Sequence, residues 1–180
     1  LILAQSNEHI HRFESMGVTK NKIKQVGSVK FDSDSKDNQI DLSIQRSNNL
    51  ILAASTHIGE DEMLAETFIK LKENFKNLRL VIVPRHPERS GSVLKICEDN
   101  GIKSKVSSIF SSEETTSDVV IINSIGILNN LYRNATISFV GGSLLKKYGG
   151  HNIVEPAINK CPFIVGPFMK NFEEIINLFE

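Results

Sequence analysis

Short apolar runs alternate along most of this chain with segments whose apolar residues recur every three or four positions. The runs cover residues 50–54, 78–83, 119–122, 137–140 and 163–165, and they are rich in Ile and Val. Runs of this kind predict strands that are buried on both faces. Between the first two runs, one face of a predicted helix carries Leu64, Phe68, Leu71 and Phe75. This helix starts near Glu60, with Glu60, Asp61 and Glu62 in its first turn, where the helix dipole favours acids. Another helix is predicted over residues 125–134. The pattern predicts an α/β fold: a Rossmann-like parallel sheet flanked by helices.

The N-terminal part follows a separate pattern. Apolar runs at 1–4 and 23–29 predict two strands around a helix that begins at Ser6 or Asn7 and stops at Gly17. Residues 31–49 are mostly Ser, Asp and Asn, which is typical of a linker, with a short helix around 40–44. We therefore expect three parts: residues 1–32, a linker at 33–49 and a domain at 50–180. Both ends fall inside predicted elements, so we expect a piece of a longer protein.

Composition limits the functional classes. The 180 residues include 21 basic and 21 acidic side chains, so no net field favours nucleic acid or an anionic membrane. No apolar run approaches the roughly 20 residues that a membrane-spanning helix needs. The two cysteines lie far apart, which is typical of free thiols in a reducing compartment. A soluble cytoplasmic domain is expected.

The segments that follow the predicted strands are polar. In a parallel sheet the carboxyl ends of the strands meet at one edge, where ligands bind. That edge would carry Ser55-Thr56-His57, Pro84-Arg85-His86-Pro87, Asn123-Ser124, Gly141-Gly142-Ser143 and Gly166-Pro167. Hydroxyls, imidazoles, a guanidinium and backbone amides would therefore face a single crevice.

Two glycine pairs, Gly141-Gly142 and Gly149-Gly150, lie between the strand at 137–140 and a helix predicted to open at Asn152. Glycines let bare backbone N–H groups approach an anion, and a helix start favours negative charge, so this stretch predicts a phosphate site. The alternative is turn chemistry alone. Asn152 and Glu155 have the spacing of a capping box, and glycines often serve only to allow positive φ.

Several side chains have both a binding and a structural interpretation. Arg85 follows a strand and is suited to a phosphate or a base carbonyl, although it could pair with an acid instead. Glu155 could accept hydrogen bonds from ribose hydroxyls. His57 is either a second polar contact or a turn histidine. The loop residues Lys146, Lys147 and Tyr148 either cover an anionic sugar or are solvated.

Other ligand-binding motifs are missing from the sequence. It has no Gly-x-Gly-x-x-Gly after a first strand, no Walker-type Gly-Lys-Ser/Thr and no Gly-x-Ser-x-Gly. It also lacks metal-site spacing of His, Cys and Asp, and any Asp-x-Asp pair that would hold a divalent ion against a diphosphate. These absences disfavour dinucleotide-binding, NTPase, serine-hydrolase and metal-dependent interpretations.

Four strings together resemble a known family: VGSVKFD, AASTHIGEDE, VPRHPER and FVGGSLLKKYGGHNIVEPAINKCPFIVGPFMKNFEEI. They resemble the 3-deoxy-D-manno-octulosonic acid (Kdo) transferases of Gram-negative bacteria over nearly all of the chain. The resemblance implies the C-terminal half of a two-Rossmann (GT-B) glycosyltransferase. Such enzymes transfer Kdo from CMP-Kdo to a lipid A precursor in lipopolysaccharide biosynthesis. They act at the cytoplasmic face of the inner membrane, invert the anomeric centre and need no metal or other cofactor.

By matching positions, the resemblance implies that Arg85 contacts the nucleotide, that Gly141 to Ser143 and Asn152 meet the phosphate, and that Glu155 takes the ribose hydroxyls. The donor-binding set is expected to be Ser55, Thr56, His57, Arg85, His86, Gly141, Gly142, Ser143, Gly149, Gly150, His151, Asn152 and Glu155. The family's general base and membrane anchor lie in an N-terminal acceptor domain, of which residues 1–32 match only the end. We therefore expect no catalytic residue here and no activity from this chain alone.

Two other functions stay open from the sequence. One is a GT-B glycosyltransferase or epimerase that uses a UDP-sugar. The other is a non-catalytic remnant of a split gene, which would bind nothing or serve as a partner module.

Overall fold

A computed structural model describes residues 1–27, 49–109 and 116–177. The chain divides into two compact units, Leu1–Asp37 and Asn38–Glu180. The predicted linker, apart from position 49, and the short helix predicted around 40–44 lie outside the described residues. Within the described ranges, none of the helices has the length and apolar character needed to cross a bilayer.

The first unit is a strand–helix–strand motif, as predicted. Strand β1 (Ile2–Ala4) pairs in parallel with β2 (Ile23–Gln25), and helix α1 (Asn7–Ser15) connects them. The Ser6 hydroxyl caps the helix by accepting a hydrogen bond from the amide of His9 at 3.3 Å.

The second unit contains a six-stranded parallel sheet. Its strands are β3 (Leu50–Thr56), β4 (Arg79–Pro84), β5 (Ser104–Ser107), β6 (Val119–Ile122), β7 (Ile137–Val140) and β8 (Phe163–Val165). Their order across the sheet is β5-β6-β4-β3-β7-β8, and every neighbouring pair is parallel. This confirms the predicted Rossmann-like sheet.

Helices flank the sheet, and in the described residues they follow β3, β4, β6, β7 and β8. They are α2 (Glu60–Asn74), α3 (Ser90–Asp99), α4 (Leu128–Asn134), α5 (Val154–Ile158) and α6 (Glu173–Ile176). Two expectations were wrong at helix ends. Phe75 does not extend the apolar stripe of α2, because it follows the last helical residue and is 52% exposed. The helix predicted from residue 125 begins only at Leu128, and Ile125 is 87% exposed.

The central strands are buried on both faces. Ile82 of β4 packs with Phe68 of α2 and Val93 of α3 on one side of the sheet. Val81, the neighbouring strand residue, packs with Leu131 of α4 on the other side. Successive side chains of a strand point to opposite faces, so two covered faces require the continuous apolar runs seen in the sequence.

The strand order creates a switch point beside β3. The chain leaves β3 for β4 on one side, and later returns to add β7 on the other side. Open parallel sheets bind ligands in the crevice outside the carboxyl ends of the strands at such a point. The loops that follow β3, β4 and β7 meet there.

Candidate functional site

The loops after β3, β4 and β7 are joined by backbone hydrogen bonds. The amide of Arg85 donates to the carbonyl of Thr56 at 3.0 Å, and the amide of Gly141 donates to the carbonyl of Ala54 at 2.8 Å. Between these two acceptors the pairing of β3 with β4 shifts register, and Ser55 adopts a left-handed φ of 57°. Backbone strain of this kind recurs at binding sites, where the surrounding structure holds it in place.

A buried carboxylate lies at the centre of these loops. Glu60, the first residue of α2, is fully buried. Its Oε2 accepts hydrogen bonds from the amides of His57 at 2.9 Å and Gly142 at 2.8 Å. Its Oε1 accepts from the amides of Ser143 and Leu144, both at 3.0 Å.

The backbone amides predicted to cradle a phosphate are therefore already satisfied within the protein. Gly142 and Ser143 donate to Glu60, Gly141 donates to Ala54, and Gly150 donates to the carbonyl of Gly142 at 2.7 Å. The prediction of bare N–H groups at the two glycine pairs was therefore wrong for Gly141, Gly142 and Gly150. The loop after β7 does bind an anion, but that anion is a side chain of the same protein.

Two predicted ligand contacts are enclosed by the protein. The side chains of Ser143 and Thr56 are fully buried. The Ser143 hydroxyl donates to the carbonyl of Val140 at 2.6 Å and accepts from the amide of Gly166 at 2.8 Å. Ser143 therefore joins the ends of β7 and β8, and it has no free surface for a donor molecule.

The glycines allow protein segments to pack closely against each other. A Cβ atom on Gly141 would overlap the backbone carbonyl of Ser55. A Cβ atom on Gly150 would overlap the sulfur of Met169, and one on Gly149 would lie 2.8 Å from Nδ2 of Asn171. These glycines are buried, so the need for glycine at these positions comes from close packing within the crevice wall and not from a ligand.

The helix predicted to open at Asn152 begins later, and the capping box named as the alternative to a phosphate site is not formed by Asn152 and Glu155. Helix α5 begins at Val154 and has only five residues, and the Asn152 side chain accepts from the amide of Val154 at 3.0 Å. Glu155 contacts the side-chain amide of Asn152 at 3.4 Å and not its backbone N–H. This side-chain pairing leaves the half-buried Glu155 carboxylate near the crevice and not folded back on the helix start.

Three histidines gather at the crevice. The Nε2 atoms of His57 and His151 lie 2.7 Å apart, and the ring of His86 meets that of His57 edge-on at 5.9 Å. Tyr148 stacks on His57 with 3.9 Å between ring centroids and 17° between planes. Burial, reinforced by nearby positive groups, lowers the pKa of His57 and of His151 to about 4. Both rings are neutral at neutral pH, so one donates and the other accepts.

Arg85 and Glu155 lie close enough for the charge of one to affect the pKa of the other. Burial raises the pKa of Glu155, while its hydrogen bond to Asn152 and the charge of Arg85 act in the opposite direction. Arg85 also lowers the pKa of both His57 and His151, so its guanidinium lies within reach of all three groups. Within the described parts of the chain, that guanidinium forms no ion pair or hydrogen bond. It is an exposed cation without a fixed partner among the residues that the structure describes.

The predicted set thus separates into two groups. The side chains with exposed surface are Ser55, His57, Arg85, His86, His151, Asn152 and Glu155. The buried positions are Thr56, Gly141, Gly142, Ser143, Gly149 and Gly150. Ser124 follows β6 at the predicted edge, but on the β5–β6 side of the sheet, where its hydroxyl donates to the carbonyl of Ser108 at 2.6 Å.

Comparison with known proteins identifies the family. No family model matches the chain. It is 34% identical to the 3-deoxy-D-manno-octulosonic acid transferase of Haemophilus influenzae over 184 aligned residues, which cover 99% of this chain and 43% of that protein. It is 31% identical to the Aquifex aeolicus transferase of the same name, covering 100% of this chain and 47% of that protein. The crystal structure of the C-terminal CMP-Kdo binding domain of WaaA from Acinetobacter baumannii matches with a TM-score of 0.68. That match has 34% sequence identity and covers 73% of this chain and 68% of the domain.

The chain belongs to the Kdo transferase family. It spans less than half the length of these two full-length relatives, both of which are transferases. The resemblance predicted from the sequence strings is confirmed.

Sequence reasoning missed the central role of Glu60 in this member of the Kdo transferase family. Glu60, Asp61 and Glu62 were all interpreted as acids favoured by the start of a helix. In the structure they differ: Glu60 binds four amides, Asp61 pairs with Arg89, and Glu62 accepts from the amide of Gly59 at 3.1 Å. The sequence did hold one usable signal, which was the position of Glu60 directly after the turn that follows β3. Glu60 therefore lies at the same edge of the sheet as Gly142.

Proposed function

We propose that this chain is the donor-binding domain of a Kdo transferase and binds the cytidine monophosphate group of CMP-Kdo. One observation carries the proposal: the free guanidinium of Arg85 lies within electrostatic reach of Glu155, His57 and His151 at the switch point of the sheet. The matched WaaA domain, which is a CMP-Kdo binding domain, supports the same ligand.

In this proposal the donor phosphate binds Arg85, because the amides of the loop after β7 are occupied by Glu60. Glu155 accepts hydrogen bonds from the ribose hydroxyls. The neutral pair of His57 and His151 offers polar contacts without adding charge. Tyr148 lies beside the sugar, and the Nζ atom of Lys147 is 4.7 Å from the centroid of the Tyr148 ring.

For the whole protein we propose Kdo transfer from CMP-Kdo to a lipid A precursor, at the cytoplasmic face of the inner membrane. The enzyme would have the two-Rossmann GT-B architecture, invert the anomeric centre and bind its donor without a metal ion. Residues 1–32 would be the end of an acceptor domain that carries the general base, 33–49 a linker and 50–180 the donor domain. Residues 1–180 alone would bind donor without transferring it.

Calorimetry with CMP and UDP tests this proposal on the 180-residue chain. We expect CMP to bind and UDP to compete only weakly, because Arg85 is assigned to a single phosphate. Stronger binding of UDP would favour a UDP-sugar-dependent glycosyltransferase or epimerase. Absence of binding and of thermal stabilisation at millimolar CMP would favour a non-catalytic module, since a ligand specific for the folded state must raise its stability.

A further inference from the structure

The Glu60 carboxylate is an unusual buried charge. It is fully enclosed, and no Lys, Arg or His pairs with it in the residues that the structure describes. Its negative charge is met by four backbone N–H groups at 2.8 to 3.0 Å. Hydrogen bonds to a charged acceptor are stronger than those between neutral groups, so this set offsets the cost of burying the carboxylate.

The four amides come from two separate loops. His57 belongs to the loop after β3, whereas Gly142, Ser143 and Leu144 belong to the loop after β7. Glu60 itself is fixed on α2, so a single carboxylate fastens both loops to one helix. The same two loops carry the stacked and hydrogen-bonded rings of His57, Tyr148 and His151.

We infer that Glu60 is a positioning residue, an internal anion that sets the spacing of the two crevice loops for donor binding. The inference deepens the proposed function and rests on it. Glu60 does not touch the donor. It fills the amide cluster that a phosphate would otherwise occupy, and so directs the donor phosphate towards Arg85.

The chemistry of the site distinguishes a carboxylate from its closest isostere. Each Glu60 oxygen accepts two N–H groups, so both positions must be acceptors. In Glu60→Gln one position becomes an NH₂ donor and faces two amides that also donate. Two hydrogen bonds are lost and two buried N–H groups are left unsatisfied, although the side-chain volume is unchanged.

The test compares Glu60→Gln with two control variants. Glu66→Gln makes the same chemical change at an exposed position of the same helix. Val93→Ala destabilises the core at a fully buried position of α3, outside the two loops that Glu60 joins. All are measured where denaturation curves show the chain to be folded, first by amide hydrogen exchange without ligand and then by CMP titration.

We expect faster exchange at the Glu60-bonded amides of Gly142, Ser143, Leu144 and His57 in Glu60→Gln, and CMP binding weaker by about tenfold or more. Both controls should keep wild-type exchange at these amides and wild-type CMP affinity. In Glu60→Ala, added formate should restore part of the CMP affinity by filling the vacated amide cluster. Formate should leave the wild type unchanged.

The outcomes separate two kinds of failure. If the wild type does not bind CMP, the proposed function fails, while the exchange data still report on the link between the loops. If the wild type binds CMP and Glu60→Gln binds it equally well, the positioning role is overturned. An equal loss of CMP affinity in Val93→Ala and Glu60→Gln would also overturn the positioning role. It would show that Glu60 affects CMP binding only through the general stability of the fold.

Discussion

The Nε2 atoms of His57 and His151 lie 2.7 Å apart, although 94 positions separate these residues in the chain. At that distance the two nitrogens share one hydrogen, so the rings work as a donor–acceptor pair and not as two cations. The pair connects the loop after β3 with the loop that leads into α5.

Acid should weaken the fold through this pair. The pKa of each histidine falls from 6.5 to about 4 on folding, so the unfolded chain binds more protons between those values. Stability contributed by the neutral pair is therefore complete above pH 6.5 and is lost as pH falls towards 4. His151→Gln should lower the slope of unfolding free energy against pH in that window, measured by urea denaturation at several pH values.

The matched control for that experiment is His11→Gln, whose side chain is 79% exposed. Asp61 and Glu155 have a raised pKa and act in the opposite sense, but both variants retain them. Parallel pH profiles for the His151→Gln variant and the wild type would show that the pair does not stay neutral on folding.

Arg85→Ala should weaken CMP binding by about 10- to 100-fold, because a charge-assisted hydrogen bond contributes roughly 1.5–3 kcal/mol. Calorimetry on the folded variant measures the loss. Arg133→Ala is the control. Arg133 lies in the last turn of α4, near the opposite edge of the sheet, and donates to the side chain of Asn159 at 3.0 Å. Equal CMP affinity in the Arg85 variant and the wild type would remove Arg85 from the site.

Glu155→Ala should reduce discrimination between CMP and 2′-deoxy-CMP. If the carboxylate accepts the ribose hydroxyls, the wild type prefers CMP by about tenfold, the value of one hydrogen bond to a charged group. The variant should bind both ligands with similar affinity. A general weakening of the site affects both ligands equally, so it cancels in the ratio of the two dissociation constants. Glu98→Ala, on an exposed face of α3, is the control and should retain the wild-type ratio. A preference that survives in the Glu155 variant would assign ribose recognition elsewhere.

Gly141→Ala should destabilise the protein, because the new methyl group overlaps the carbonyl of Ser55, which is backbone and cannot rotate away. We expect a loss of about 1–3 kcal/mol in the free energy of unfolding, typical of overpacking. Gly91→Ala is the control. Gly91 lies in α3 with open space at its Cβ position, so the same substitution should stabilise by about 0.5–1 kcal/mol. Similar urea midpoints for the two variants would contradict the contact.

The sheet could be predicted closely because its signal is local. Strands β6, β7 and β8 begin and end where the apolar runs at 119–122, 137–140 and 163–165 begin and end. Each run is bounded by polar or turn residues, so no neighbouring segment competes for the same pattern. The predicted burial on both faces was wrong for the edge strand β8, where Ile164 is 55% exposed. The gathering of Arg85, His57 and Glu155 at one edge followed from that sheet and from the rule for carboxyl ends.

The inner wall of the crevice could not be predicted, because its contacts join distant segments. Glu60 binds the amide of Gly142 across 82 positions, and its place directly after a crevice turn does not reveal which distant amides it binds. A glycine pair is equally consistent with a ligand and with a close-packed carbonyl. Only the fold shows that Gly141 lies against Ser55 and that Ser143 bonds Gly166.

The position of β3 between β4 and β7 has a consequence for synthesis on the ribosome. Strands β3 to β6 precede residue 137, so one side of the sheet has all its strands while β7 is still being made. Because chains emerge N-terminus first, we expect this half to assemble early, with α2 and α3 protected from protease in nascent chains stalled before residue 137. On the proposed function, the crevice needs the second glycine loop, so nascent chains should bind CMP only after that loop has emerged.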